Sequence, residues 1–389
     1  MAIRELGIIV HGATGRIAST QHLANALAPI IAEGGLDAGN GEIILPKLIL
    51  AGRDGEKLAA IAGAHNVDNW TTDLDTALAD PAYPVFFDAA ATHLRLPLLR
   101  RAIDAGKHIY TEKPVAPSIK DGLTILAAGQ AKGLKLGAVE DKIHSPGYRK
   151  MKKLVNDGFF GRVVNFRLDF GWWVFDGLER PANRPSWNYR KSGGGGMFSD
   201  MYAHWRYVTE TMMGPMRRIT AAGWTAQGRR GDESGEGYDV DVEDSCSVIV
   251  ELESGAFGTI TSSWAQRVIG DDLVSFQIDG TGGSAQAGMR LCRAQAAKDT
   301  PDIRGFNLGG DASTLDYKID HAADWQEMPE AGPYMNLYRA GWEQFLRHVA
   351  TDAPLKSDYA AGIRDVQFAE ACLQSSATGA WVSMAPVDT

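Results

Sequence analysis

The sequence predicts an α/β protein in which a doubly wound parallel sheet is followed by an α+β region built on a large, open, mostly antiparallel sheet. Up to about residue 139, short apolar runs alternate with longer amphipathic stretches. That is the pattern of βαβ units, whose right-handed crossovers wind a parallel sheet. Beyond about residue 145, extended segments follow one another without intervening helices, as in antiparallel sheets. At ~150 residues per domain, 389 residues imply two domains, placed at 1–143 and 144–389, with the closing helices free to pack back on the first.

The parallel strands are expected over residues 6–11, 48–52, 85–90, 108–110 and 134–139. Helices over 54–64, 96–105 and 120–131 lie between them. Residues 163–175 alternate, which sets Val164, Phe166, Leu168 and Phe170 on one face of a strand. A helix opening at Ser199 precedes further strands over 218–224, 246–252, 257–264 and 273–279. Residues 229–244, rich in Gly, Asp and Glu, read as an exposed loop. Two helices over 337–350 and 359–377 close the chain, separated by the Asp-Ala-Pro break at 352–354.

Composition excludes several classes of function. A net charge of −9 argues against a general nucleic-acid or anionic-membrane binder. No run approaches the ~20 apolar residues of a membrane span, and a strand at residues 6–11 leaves no room for a secretory leader. Cys246, Cys292 and Cys372 are too scattered for a disulfide framework or zinc ribbon and suit a reducing compartment, so a cytoplasmic location is expected. The 44 glycines follow no G-X-Y period, so their placement carries the information.

The first strand runs into Gly12-Ala13-Thr14-Gly15-Arg16-Ile17-Ala18. Glycines at a strand-to-helix turn let backbone approach a pyrophosphate, and the helix N-terminus offers N–H groups and a favourable dipole. The spacing is G-x-x-G-x-x-A, not the strict G-x-G-x-x-G, yet its place at the first strand of a βαβαβ pattern reads as a Rossmann dinucleotide turn. The second strand ends Ala51-Gly52-Arg53-Asp54. Arg53 can pair with a 2′-phosphate, which slightly favours NADP, while Asp54 could bind an unphosphorylated ribose.

The fifth strand ends Tyr110-Thr111-Glu112-Lys113-Pro114, placing Lys113 in the crevice where such sheets bind ligands. There it can donate to a substrate hydroxyl and stabilise a developing alkoxide; the plainer reading is a surface Glu-Lys pair. Pro114 fixes the local turn. A third constellation runs from Gly193-Gly194-Gly195-Gly196 through Ser199 and Asp200 to His204. Four glycines permit close passage of backbone past a ligand or another chain, and Ser199 or Asp200 can cap the helix. Asp200 and His204, at i and i+4, form an acid-base pair on one face or, more plainly, a cap and a core histidine.

Together these residues resemble the Gfo/Idh/MocA oxidoreductases, of glucose–fructose oxidoreductase and inositol dehydrogenase type. Residues 102–114 are similar to the family's A-G-K-H-V-x-x-E-K-P signature, and the segment ending in Asp200 and His204 to its G-G-G-x-x-x-D-x-x-x-H motif. The resemblance implies NAD(P)-dependent hydride exchange with a secondary hydroxyl or ketone of a sugar, glycoside or cyclitol. It assigns Lys113 to the nicotinamide and substrate hydroxyl, His204 as general base and Asp200 as its assisting or substrate-contacting carboxylate. It adds Ala91, His93, Glu112 and Lys142 to the cofactor contacts, although residues 90–93 are shorter than the usual A-T-P-N-x-x-H and relatives often carry arginine near Lys142. A metal site at Glu140, Asp141 and His144 is disfavoured, because no further ligand spacing completes it.

Only Trp70 of the 10 tryptophans precedes residue 140. Trp172, Trp187, Tyr189 and Arg190 flank Asp200 and His204, and such a cluster suits stacking and hydrogen bonding of a pyranose. Two other functions fit the same scaffold: a non-redox enzyme using bound NAD for transient oxidation before elimination or glycosidic cleavage, and a nucleotide-sensing binding protein. An intact Lys113, Asp200 and His204 set argues against the second. The open sheet face and the resemblance together predict a homodimer or homotetramer.

Overall fold

The computed structural model describes residues 2–270, 272–301 and 320–387. The first sheet contains β1 (Ala2–His11), β2 (Leu36–Asp37), β3 (Glu42–Ala51), β4 (Asn69–Thr71), β5 (Val85–Asp88), β6 (His108–Thr111) and β7 (Leu136–Ala138). β4, β3, β1, β5, β6 and β7 lie side by side and parallel, while β2 pairs antiparallel with β3. This is the doubly wound order with its switch point between β1 and β5, the crevice where ligands bind such sheets.

Both faces of this sheet are covered, which is why its strands read as continuous apolar runs. On one side Leu6, Ile8 and Val10 pack against Leu23 and Leu27 of the first helix and Trp342, Phe345 and Leu346 of a C-terminal helix. On the other, Ile9, Phe86 and Ile109 meet Leu99, Ile103, Ile125 and Ile363. The first helix is π-wound over Ile17–Leu27 and continues as α1 (Ala28–Ala32). The connecting helices are α2 (Gly55–Ala64), α3 (Leu74–Ala79), α4 (Thr92–Asp104) and α5 (Ile119–Gln130). β4 and α3 lie outside the expected elements, and β3 begins at Glu42, ahead of the expected residue 48, with Pro46 inside the strand.

After α6 (Pro146–Asn156) come β8 (Val163–Gly171), α7 (Met197–Met213) and β9 (Met216–Trp224). They are followed by β10 (Arg229–Gly231), β11 (Gly237–Asp239), β12 (Ser245–Leu252), β13 (Phe257–Ser263), β14 (Val274–Gly280), β15 (Gly283–Ala287), β16 (Cys292–Ala296) and β17 (Gln326–Glu327). The chain ends with α8 (Leu337–Thr351), α9 (Tyr359–Thr378) and β18 (Val382–Ser383). The second sheet has nine strands in the order β17-β16-β15-β14-β8-β13-β12-β9-β18, antiparallel except for β8 with β13. Its inner face packs on α7 and α9: Phe166, Leu168 and Ile260 share one core with Tyr202, Trp205 and Phe368.

Three local expectations are corrected. Residues 229–244 are not a simple exposed loop but hold the β10–β11 hairpin. Its Arg230 is buried over the Tyr189 ring, and Asp244 is buried to accept the N–H groups of Ala226 and Gln227. α7 opens at Met197, two residues before Ser199, with Gly196 as its N-cap and no side chain of its own capping it. Glu243 fills that role from afar, its carboxylate accepting the Phe198 N–H at 3.0 Å. Val164, at the start of β8, remains exposed while Phe166, Leu168 and Phe170 are buried.

Candidate active site

β1 delivers the chain into the Gly12 turn at the switch point. Gly12 has φ +75°, and a Cβ there would meet the backbone of Ala89 and Ala90 at 3.1–3.3 Å, so glycine is required on both counts. Its N–H and that of Ala13 donate to Ala51 O at the end of β3, and Gly15 N–H donates to Gly12 O, which closes the turn. The helix that follows has no side-chain cap at its N-terminus. Free N–H groups beside an exposed Gly15 and Arg16 fit a pyrophosphate, with Thr14 and Ile17 half-buried around them. At the end of β3, Arg53 is exposed, whereas Asp54 caps α2 by accepting Lys57 N–H at 3.1 Å and pairs with Lys57 Nζ at 3.3 Å.

The turn after β6 is braced from below. The Lys113–Pro114 peptide is cis. Arg95 of α4, nearly inaccessible, donates to Pro114 O and Ala90 O and pairs with Asp88 at 2.9 Å. Burial opposes ionisation of Asp88, but His11 and Arg95 outweigh it and hold its carboxyl below the usual range. Glu112 turns inward: His22 Nε2 lies 2.8 Å from its Oε1, and its Oε2 accepts Lys113 N–H at 3.1 Å. Trp342 Nε1 of α8 donates to His22 Nδ1 at 3.0 Å. An indole nitrogen only donates, so His22 carries its proton on Nε2 and gives it to Glu112.

Lys113 Nζ points across the crevice to α7, 2.8 Å from both Asp200 O and Asp200 Oδ1. Arg184 takes the other carboxylate oxygen, and Asn188 Nδ2 lies 3.4 Å from it. Burial resists the charge on Asp200, yet Lys113 and Arg184 prevail and hold the group well below the ordinary carboxylate range. One helical turn on, His204 is 7 % exposed and its Nδ1 is 2.7 Å from Tyr207 Oη. Burial first, then Lys142 and Lys113, push its pKa well below 6.5 against the pull of Asp141 and Asp200, so the ring is neutral at physiological pH. The cluster thus joins a cation, a carboxylate and a neutral imidazole, the set needed to polarise a hydroxyl and accept its proton.

Residues 148–286 match the family model of the GFO/IDH/MocA C-terminal domain. The chain is 40% identical over 374 residues to D-xylose dehydrogenase of Paenarthrobacter nicotinovorans, 95% of each chain being covered. It belongs to the Gfo/Idh/MocA family. Levoglucosan dehydrogenase of Pseudarthrobacter phenanthrenivorans is 24% identical over 86% of this chain and 89% of its own. The structure of a levoglucosan dehydrogenase with NADH and levoglucosan superposes with a TM-score of 0.78 at 22% identity, covering 98% of this chain and 100% of the other. An NAD-binding oxidoreductase from Klebsiella pneumoniae does so at 0.78 and 22%, covering 99% and 100%. At those identities the likeness concerns the fold.

In this Gfo/Idh/MocA chain the remaining expected site residues part company. Trp172 is half-buried under Arg184, whose guanidinium sits 5.6 Å from its ring and 4.3 Å from that of Trp264. Trp187 is 47 % exposed. Tyr189 is instead a core residue, covered by Trp264 and Arg230, and Arg190 lies over Tyr238 of β11 and not toward Asp200. Three of the four glycines approach the chain itself, Gly194 being open: Gly195, given a Cβ, would meet Asn188 O at 2.4 Å, and Asn188 in turn lies beside Asp200. Ala91 and His93 are exposed at the start of α4, and Lys142 is half-buried on Asp141. Glu140 is bound to Arg206, and His144 is pushed down to about 4, chiefly by burial. Among the described residues no group of His, Cys, Asp and Glu gathers as metal ligands.

Arg184, Asn188, Tyr207 and Asp141 stand around Asp200 and His204 without being among the residues expected there from the sequence. Tyr207 could have been found, standing three residues after His204 on the same helix face, as could Asp141 at the carboxyl end of the sheet. Arg184 gave no signal, because only the tertiary course of residues 177–186 brings it to Asp200.

Proposed function

We propose that this oxidoreductase acts on a secondary hydroxyl of a five- or six-carbon sugar, with Lys113, Asp200 and His204 around the reacting carbinol. The convergence of these three groups beside the Gly12 turn carries the reading. The names of the relatives, D-xylose dehydrogenase and levoglucosan dehydrogenase, support the substrate class. NAD(P), when bound, accepts or returns the hydride. The Gly12–Ile17 turn holds its pyrophosphate, with Ala91, His93, Glu112 and Lys142 bordering the path to the nicotinamide. With Asp54 engaged as a helix cap, Arg53 is the group left to meet the 2′-position, which supports NADP. Lys113 donates to the substrate hydroxyl and lowers the cost of the developing oxyanion. Asp200 holds Lys113 in place, and neutral His204 takes the hydroxyl proton. Trp172 and Trp187 offer faces to the sugar ring.

Residues 1–143 would bind the dinucleotide and 144–389 the sugar, with α8 lent back to the first sheet. The exposed outer face of the second sheet, bearing Trp224, Ile249 and Phe257, supports a homodimer or homotetramer. Three buried free thiols support a cytoplasmic setting. No helix among the described residues is long and apolar enough to cross a membrane.

The test is a panel of pentoses, hexoses, anhydrosugars and cyclitols assayed with NAD and NADP in parallel by nicotinamide absorbance. Turnover of an aldopentose, reduced about 100-fold or more in Lys113→Ala and in His204→Ala with cofactor affinity retained, is the expected result. Undiminished turnover in either variant removes the mechanism.

A further inference from the structure

The base at His204 can act only if the nitrogen facing the substrate carries no proton, and hydrogen-bond accounting around Tyr207 decides this. Three contacts converge on the Tyr207 hydroxyl, all inside the protein. Lys142 N–H lies 3.2 Å away, Asp141 Oδ1 3.1 Å and His204 Nδ1 2.7 Å. A backbone N–H only donates, so it takes a lone pair of the hydroxyl oxygen. Asp141 receives Lys142 Nζ at 2.5 Å on its other oxygen, and this cation helps hold its carboxyl well below the usual range against burial, so it is an ionised carboxylate and only accepts. The single Tyr207 proton must therefore go to Asp141. One lone pair of the Tyr207 oxygen remains, and His204 Nδ1 can satisfy that contact only as an N–H donor.

We propose that Tyr207, oriented by Asp141, is the positioning residue that fixes His204 as its Nδ1–H tautomer and leaves Nε2 as the proton acceptor. The arrangement interposes a tyrosine where many acid-base sites set a carboxylate directly on imidazole. Direct contact is not made here, since His204 Nδ1 stands 3.8 Å from Asp141 Oδ1. Asp200, the carboxylate one turn earlier, makes no hydrogen bond to His204 and is bound instead by Lys113, Arg184 and Asn188. When His204 accepts a proton on Nε2 the imidazolium keeps its Nδ1–H bond to Tyr207, and the negative charge of Asp141 is felt through the hydroxyl. After oxidation the proton passes from Nε2 to solvent, and in reduction it passes from Nε2 to the forming alkoxide, so Tyr207 and Asp141 keep their own protonation states throughout.

This inference rests on His204 as the base, and the test separates the two. Long-range proton–nitrogen NMR correlation on the whole protein, with histidine nitrogen-15 labelled and His204 assigned by loss of its signals in His204→Gln, reads the tautomer without reference to activity. A pyrrole-like Nδ1 and a pyridine-like Nε2 are expected. The reverse pattern in the wild type overturns the proposal, whatever any variant does. In Tyr207→Phe the ring packing is kept and the acceptor is lost. The Nε2–H form should then appear, and kcat should fall about 10- to 100-fold with KM changed less than about twofold. An unchanged kcat overturns the positioning role. Full turnover in His204→Gln overturns the base itself, and the wild-type spectrum still judges the tautomer.

Discussion

Asp200 is shared between two cations, Lys113 on one oxygen and Arg184 on the other, so its orientation is fixed before any sugar arrives. Arg184→Met removes one anchor and leaves the carboxylate free to turn. KM for the sugar should rise about tenfold with a smaller change in kcat, read from initial rates, because binding geometry is lost before proton transfer is. The pH dependence follows from His204. Its pKa is depressed, first by burial and then by Lys142 and Lys113, so kcat/KM should stay level down to 6.5 and fall only at lower pH as the ring protonates. Lys142→Met deletes a cation that opposes protonation, so the falling limb should move to higher pH. A limb that stays put or moves down refutes that electrostatic account. Lys113, Asp200 and His204 stand out as candidates because their motifs are local in sequence, and the fold brings the three together. Arg184 does not, being 16 residues from Asp200 in sequence and brought to it only by tertiary packing.

Elements differ in how plainly they are written. α8 and α9 lie within a few residues of their expected bounds, because long helical stretches and the Asp-Ala-Pro break between them leave little choice, and in the structure Asn336 and Asp358 cap them. β4 spans three residues with Trp70 exposed and has no such signal. The β10–β11 hairpin is polar on its surface and reveals itself only through the buried Arg230. What no periodicity shows is that α8 reaches the turn after β6, through Trp342, His22 and Glu112. His22→Leu leaves the Trp342 indole N–H and Glu112 Oε1 buried without partners. A loss of about 2–4 kcal/mol in urea unfolding is expected. Trp342→Phe, which orphans only the acceptor on His22, should cost less.

At the scale of the molecule, the two sheets are held together at Arg206. This buried guanidinium of α7 binds Glu140 after β7 at 2.5 Å, Asp365 of α9 at 2.6 Å and Glu210 at 3.2 Å. Arg206→Met should cost about 3–5 kcal/mol at pH 7, since it strands carboxylates away from water. Burial raises the pKa of both Glu140 and Asp365, and Arg206 restrains that rise. A carboxyl with a raised folded pKa loses stability as pH climbs from its unfolded value toward the folded one. The cost of the variant should therefore shrink as pH is lowered toward 5, and a cost that grows on acidification contradicts the assignment. On the outer face, Phe257 packs beside Trp381 at 6.5 Å between ring centres, and Ile249 stands nearby on β12. Ile249→Lys should shift sedimentation toward the monomer if that face joins subunits, and an unchanged profile excludes it.

The contact between Trp342 and His22 spans 320 residues of sequence, and this sets a schedule for biosynthesis. Translation at ~5–20 residues per second leaves an interval on the order of tens of seconds between the two partners. During it, the first sheet has been made, but the side bearing Leu6, Ile8 and Val10 is covered only by Leu23 and Leu27 of the first helix and lacks the part of its cover that α8 supplies. The half of the enzyme synthesised first is thus finished nearly last. A chain terminated before Leu337 ends as a nascent product with a half-covered apolar face, a substrate for chaperones and aggregation rather than merely a dead catalyst.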